Sequence, residues 1–314
     1  MRSSFALERL RGIFRKSGLR FVLIKGADLA YRLYPEPALR LYGDWDIWFH
    51  PDDCENALKV LKEDGWKIPK LFSDEHEEAI KTTTHHFSTH VREGHLLEPH
   101  FSLANFNRID PLNLWSYTVE GPHGGGERVL SPELNLLMLT RHAASMSYFH
   151  ANLPKLLADA SVVMKKEKVD FEKLRLMADQ WKLPFPGSLL AAFPEFFPAD
   201  AVSGFQADPK ETAQFRTLFE LRGRLEEPNS AAVLMNRFEA RGRIVGGLIA
   251  HLRKCNPDTM RIIYHLPKKC SWLCMAWAYV RYFCSRSWRI GTIWIRRDRG
   301  LSEYGRIVES IENK

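Results

Sequence analysis

The run Gly43-Asp44-Trp45-Asp46-Ile47-Trp48-Phe49 sets two carboxylates two residues apart in a stretch of aromatic and β-branched side chains. On a strand, alternate side chains point to opposite faces, so Asp44 and Asp46 share one face while Trp45 and Ile47 take the other. Carboxylates spaced roughly 6.5–7 Å along a strand repel each other and gain nothing from burial without a cation between them. A pair of hard oxygen ligands suits Mg²⁺, with substrate phosphates completing its shell. D-x-D alone is a weak signal, because solvated edge strands also carry it.

The upstream context narrows the reading. Arg20 to Ile24 is a short apolar strand that passes through Lys25-Gly26 into a helix over Ala27–Tyr34, ended by Pro35. A strand-to-helix junction through glycine offers backbone N–H groups and a positive helix end to a phosphate. Lys25 and Arg40 place cations on the approach to the aspartates, suited to triphosphate charge. Downstream, histidines cluster at positions 76, 85, 86, 90, 95 and 100. Of these, His86 and His100 are candidates to line an acceptor pocket beside Glu98. Asp159 sits among Leu156, Leu157, Val162 and Val163 on an apolar helix and needs a partner if buried. Lys155 or Arg141 is the expected one.

These residues must be carried by an alternation of helix and strand in the first ~130 positions. Phe5 to Lys16 has helical spacing and stops at Gly18. Asp44 to His50 reads as a strand, and a helix opens at Pro51-Asp52-Asp53 and runs to Gly65. His85–Val91 and His95–Leu103 read as an antiparallel pair around Arg92-Glu93-Gly94, followed by a Gly-rich turn, Gly121 to Gly126. From Ser131-Pro132-Glu133 the pattern turns helical, with Pro at a first helical position. Helices are expected over 132–147, 153–166, 171–181, 210–222, 231–254, 270–283 and 301–312, with Pro184–Pro198 as a connector. The parse is an α+β domain, residues 1–130, followed by an all-helical domain, residues 131–314.

The bulk numbers agree with a folded, soluble chain: 314 residues, 45% hydrophobic and 26% charged. The net charge of +7 concentrates beyond Arg241, so the tail favours an acidic partner or shields a bound anion. Its tryptophans and arginines could stack on and neutralise nucleic acid. Cys270 to Cys284 is the most apolar run, yet shorter than the ~20 residues of a membrane span, and is read as a buried helix. Met1 to Phe14 lacks the apolar region of a secretory signal. The five cysteines form no C-x2-C pair, which suggests reduced core thiols in a cytoplasmic protein.

Leu23-Ile24-Lys25-Gly26, Tyr34-Pro35-Glu36-Pro37, Arg40 and Gly43-Asp44-Trp45-Asp46-Ile47 occur in an order that resembles the bacterial "uncharacterised nucleotidyltransferase" family. That family is a branch of the polymerase β nucleotidyltransferase superfamily. The likeness continues through Leu97-Glu98-Pro99-His100-Phe101-Ser102-Leu103, Leu130-Ser131-Pro132-Glu133 to His142, and Leu157-Ala158-Asp159-Ala160. It implies a polymerase β-like fold in which Asp44, Asp46 and Glu98 ligate two Mg²⁺ ions, or Mn²⁺. Glu98 would also help to deprotonate the acceptor. Lys25 and Gly26 would cradle the triphosphate, and Arg40 would neutralise charge nearby. The implied reaction moves an NMP, with ATP the expected donor, to a hydroxyl on a small molecule, peptide or protein, releasing pyrophosphate. The alternatives are a catalytically idle binding or regulatory module and an RNA-directed nucleotidyltransferase. One departure from the superfamily is Gly26-Ala27, which offers no hydroxyl where many members have Gly-Ser.

Overall fold

The computed structural model describes residues 2–68, 85–104, 106, 109–145, 153–183, 186–205, 207–224 and, beyond these, chiefly 257–282. The chain divides into two compact units, Met1–His142 with Asp159–Met177, and Ala143–Ala158 with Ala178–Lys314.

The first unit is a mixed α/β structure around a six-stranded sheet in the order β3-β4-β2-β1-β6-β5. At its centre, β1 (Phe21–Ile24) and β2 (Trp45–Phe49) pair antiparallel, and every residue of both is buried. β4 (His95–His100) runs parallel to β2, and β6 (Glu127–Leu130) runs parallel to β1. The edges are β3 (His90–Arg92) and β5 (Thr118–Glu120), each antiparallel to its neighbour.

Alternation along the strands separates two faces. Leu23, Trp45, Ile47, Phe49 and Leu97 join Leu7, Leu10 and Phe14 of α1 (Arg2–Lys16) and Ala57 and Leu61 of α3 (Cys54–Glu63) in one apolar cluster. Each large side chain so buried contributes roughly 1.5–3 kcal/mol. That burial is what lets the reverse face carry Asp46, Glu98 and His100.

Two turns show why particular residues stand where they do. The β3–β4 hairpin closes on Glu93 and Gly94, both at positive φ (50° and 80°), as a two-residue turn of the type I′ class requires. At Gly126, φ is +88°, and a Cβ would come within 2.4 Å of the Leu19 carbonyl oxygen. Glycine there lets the chain entering β6 lie against the residues entering β1.

Several expectations are adjusted. The His85–Val91 and His95–Leu103 strands shorten to β3 and β4, with His86 joined to His100 only by an isolated bridge. β5, β6 and a short helix, Pro111–Trp115, were not expected. The connector 184–198 contains the helix Gly187–Ala191 and a 3₁₀ turn, Pro194–Phe196.

In the second unit, helix Gly187–Ala191 lies beside helix Pro209–Arg224, joined by an Arg216 Nε–H donated to the Ala192 carbonyl at 2.8 Å. Helices Pro257–Tyr264 and 272–282 bury Met260, Ala278 and Tyr282 between them. The run Cys270–Cys284 was expected to be buried, but its helix leaves Trp272, Leu273, Trp277 and Val280 exposed. Cys274 and Cys284 are likewise exposed, whereas Cys54 is buried. None of the described helices is long and apolar enough to cross a membrane. The expected helix 231–254 and most of 301–312 lie outside the described residues.

Candidate active site

The site is assembled where β1 hands over to α2 (Lys25–Arg32), next to β2 and β4. The parallel register sets Asp46 beside Glu98 and Trp48 beside His100, so Asp46, Glu98 and His100 project from one face. One ligand atom from each of the three lies within 4.8 Å of the other two. His100 Nε2 is 2.8 Å from Asp46 Oδ1 and 3.9 Å from Glu98 Oε2. Asp44 precedes β2, is half-buried, and stands close enough for its charge to act on Glu98.

Lys25 reaches the cluster from the opposite side, its Nζ 2.6 Å from Asp46 Oδ1. Its backbone is unusual, with φ at +56° on a residue that is not glycine. The left-handed region costs an ordinary residue about 1–2 kcal/mol, and such strain gathers at functional sites. Here it coincides with the turn that aims the ammonium at Asp46.

Electrostatics sorts these groups into different protonation states. Burial opposes ionisation of Asp46, but the His100 hydrogen bond and the Lys25 charge outweigh it and hold its carboxyl far below the usual range. Glu98 moves the other way, raised by burial and then by the Asp46 charge. Burial keeps His100 neutral against the pull of Asp46. His85 falls to about 3, through burial and the neighbouring His100, His86 and Lys25. The His100 ring lies 5.2 Å from that of His85 and 5.4 Å from that of His86. With Nε2–H donated to Asp46, His100 keeps a buried lone pair on Nδ1 that finds no hydrogen bond among the described residues.

Two of the residues singled out in the sequence are engaged in architecture. The Arg40 guanidinium is buried and grips Asp159 with both prongs, at 2.6 and 2.7 Å, and Tyr34 donates its hydroxyl to the same carboxylate at 2.8 Å. Where Lys155 or Arg141 was expected, the structure pairs Asp159 with a residue of the loop that leads into β2. Asp159 was the lone acid of an apolar helix face and Arg40 the nearest motif arginine. Pairing them needed a contact across more than a hundred residues that no local pattern encodes. Gly26 has a packing duty as well, since a Cβ there would come within 2.8 Å of Tyr42 Cβ and 3.2 Å of Arg40 Nη1. Its bareness lets the Arg40–Tyr42 segment lie on the first turn of α2.

The donor set fits a divalent cation. Asp46 is 4% exposed yet held ionised, and its position already demands a positive charge, which Lys25 meets at 2.6 Å. Carboxylate oxygens from Asp46 and Glu98, with Asp44 nearby, are hard ligands, and His100 holds Asp46 in place through Nε2–H.

No curated protein and no solved structure matches the chain. A family profile described as "Uncharacterised nucleotidyltransferase" matches residues 1–191. The chain belongs to this nucleotidyltransferase family.

Proposed function

We propose that the protein moves a nucleoside monophosphate from an NTP, with ATP the donor, to a hydroxyl group of a small molecule, peptide or protein, releasing pyrophosphate. The observation that carries this reading is the register of β2 on β4, which sets Asp46 and Glu98 side by side with opposite pKa shifts. Asp46, Glu98 and Asp44 would hold divalent metal, Mg²⁺ or Mn²⁺, and as a pair such ions lend Lewis-acid charge to the attacking and leaving oxygens.

The protein's own groups then have distinct tasks. Asp46, kept ionised, is a permanent acceptor fixed in place by the Nε2–H of His100. Glu98, with its raised pKa, is suited to take the proton from the acceptor hydroxyl as that oxygen bonds to the α-phosphorus. The α,β-bridging P–O bond breaks, and the electron pair leaves with pyrophosphate. The Lys25 ammonium is positioned to turn from Asp46 to the triphosphate once other positive charge reaches the carboxylates. His86, bridged to His100, stands on the Glu98 side and is proposed to line the acceptor pocket. Arg40 supports the reaction indirectly, by anchoring the segment packed on Gly26.

A screen of NTPs with Mg²⁺ or Mn²⁺ against hydroxyl-bearing acceptors, read as pyrophosphate release and a nucleotide mass added to the acceptor, tests this reading. Asp44→Asn should abolish the signal. Metal binding without transfer to any acceptor would instead support a regulatory module.

A further inference from the structure

Helix 272–282 has two apolar sides, and the described residues cover chiefly one of them. Ala278 and Tyr282 are buried against Met260, with Met275 and Tyr279 half-buried beside them. On the other side Trp272 is 76% exposed, Leu273 61%, Trp277 50% and Val280 60%. Ala276 and Cys284 are exposed with them, and at 3.6 residues per turn all six fall on one continuous arc. Arg281 borders that arc, its guanidinium carbon 5.0 Å from the centre of the Trp277 ring. An apolar stripe with two open tryptophans does not arise from scattered surface residues, and such stripes mark interaction sites.

We propose that this face docks on an anionic lipid surface, lying in the plane of the membrane interface. Charge complementarity selects the occupant. Lys268, Lys269, Arg281, Arg286, Arg289, Arg296, Arg297 and Arg299 stand between positions 268 and 299 against Asp298 alone. Exposed tryptophan and aliphatic residues set in a strongly basic stretch of sequence are the composition of interfacial helices. The described residues 272–282 extend roughly 16 Å, and no described helix is long and apolar enough to cross a membrane, so the contact proposed is with the membrane surface. Nucleic acid, the other acidic partner, accounts for less of the face. Bases stack on tryptophan and pair with arginine, but Leu273 and Val280 gain little from them, whereas acyl chains reward all four exposed side chains.

The test sediments the full-length protein with vesicles of phosphatidylcholine alone and of phosphatidylcholine mixed with phosphatidylglycerol, at physiological salt. The protein should pellet with the mixed vesicles and remain in solution with the neutral ones. Trp272→Ser with Trp277→Ser should lower the partition at least about tenfold, and Trp272→Ser alone, at the more exposed side chain, should lower it with unchanged thermal unfolding. Leu273→Ser with Val280→Ser should lower it too, an effect that base stacking would not produce. Failure to pellet with mixed vesicles, or variants that pellet like the parent, overturns the proposal. So does tight binding of single-stranded RNA that survives Leu273→Ser with Val280→Ser.

Discussion

Around Asp159, one buried carboxylate meets one buried guanidinium in a two-pronged contact, and Tyr34 adds a third hydrogen bond. Around Asp46, in the same compact unit, Asp46, Glu98 and the nearby Asp44 are gathered about the ammonium of Lys25, with a neutral histidine below. The first cluster is balanced in charge and closed. In the second, one carboxyl is driven up while its neighbour is driven down. A buried ion pair that is complete holds a loop in place. A buried cluster of oxygen ligands whose ionisation is divided in this way suits a cationic ligand. This contrast supports the proposal that the Asp46 cluster is the chemical site and that the Arg40–Asp159 pair belongs to its frame.

The contrast is broken most directly at Asp46. Asp46→Asn should reduce metal-dependent transfer by roughly a thousandfold, the scale of several kcal/mol of charge stabilisation, while the protein still folds. Unfolding and turnover measured on the same preparation decide the matter, and an inactive variant that has also unfolded would erase the distinction between the clusters. Asp159→Ala should do the reverse. It strands a buried guanidinium and should cost about 3–5 kcal/mol of stability. Arg40→Met combined with Asp159→Leu should restore most of that stability in a denaturant titration, because removing both charges leaves none unpaired.

Lys25 sharpens the comparison on a smaller scale. Lys25→Ala should weaken NTP affinity by ~1.5–3 kcal/mol, roughly ten- to a hundredfold, with acceptor binding nearly unchanged in calorimetric titrations. Lys25→Gly should lose the same affinity yet unfold at a higher temperature than Lys25→Ala, because glycine takes the left-handed backbone without strain.

The smallest effect is expected at Asp64, which belongs to neither cluster. Burial raises its pKa, but hydrogen bonds from Arg9 and Arg92 outweigh this and leave it lowered. Its contribution is therefore complete above the unfolded-state value of about 4 and disappears as pH falls through the lower folded-state value. Solvent screening should keep it under about 1 kcal/mol. Asp64→Asn should lower stability at neutral pH and make no difference in strong acid, as read from paired melting curves.

How much of this was legible in the sequence follows from the range of each interaction. The alternation of Trp45-Asp46-Ile47, the strand ending at Ile24 and the hairpin at Glu93-Gly94 are local patterns, and the structure contains all three, although β2 begins one residue after Asp44, where the strand was expected to start. The position of Lys25 was legible, but its left-handed φ was not, because nothing in Ile24-Lys25-Gly26 assigns the strain to the lysine when a glycine stands beside it. The strands β5 and β6, three and four residues long, are too short for period-two patterning to register. The tie of Arg40 to Asp159 joins distant segments and depends on the tertiary fold, whereas that of Asp46 to Glu98, also between distant segments, was expected only through the family resemblance.

The sheet order also governs how the chain comes off the ribosome. β1 finds its antiparallel partner β2 soon after both are made, but its other neighbour, β6, is encoded about a hundred residues later. At a synthesis rate of about 5–20 residues per second, one edge of Phe21-Val22-Leu23-Ile24 waits roughly 5–20 s for its pairing. An apolar, uncharged strand edge left open for that long is a template for intermolecular pairing. Expression yield should therefore respond to translation speed and to chaperone supply, even for variants whose finished fold is fully stable.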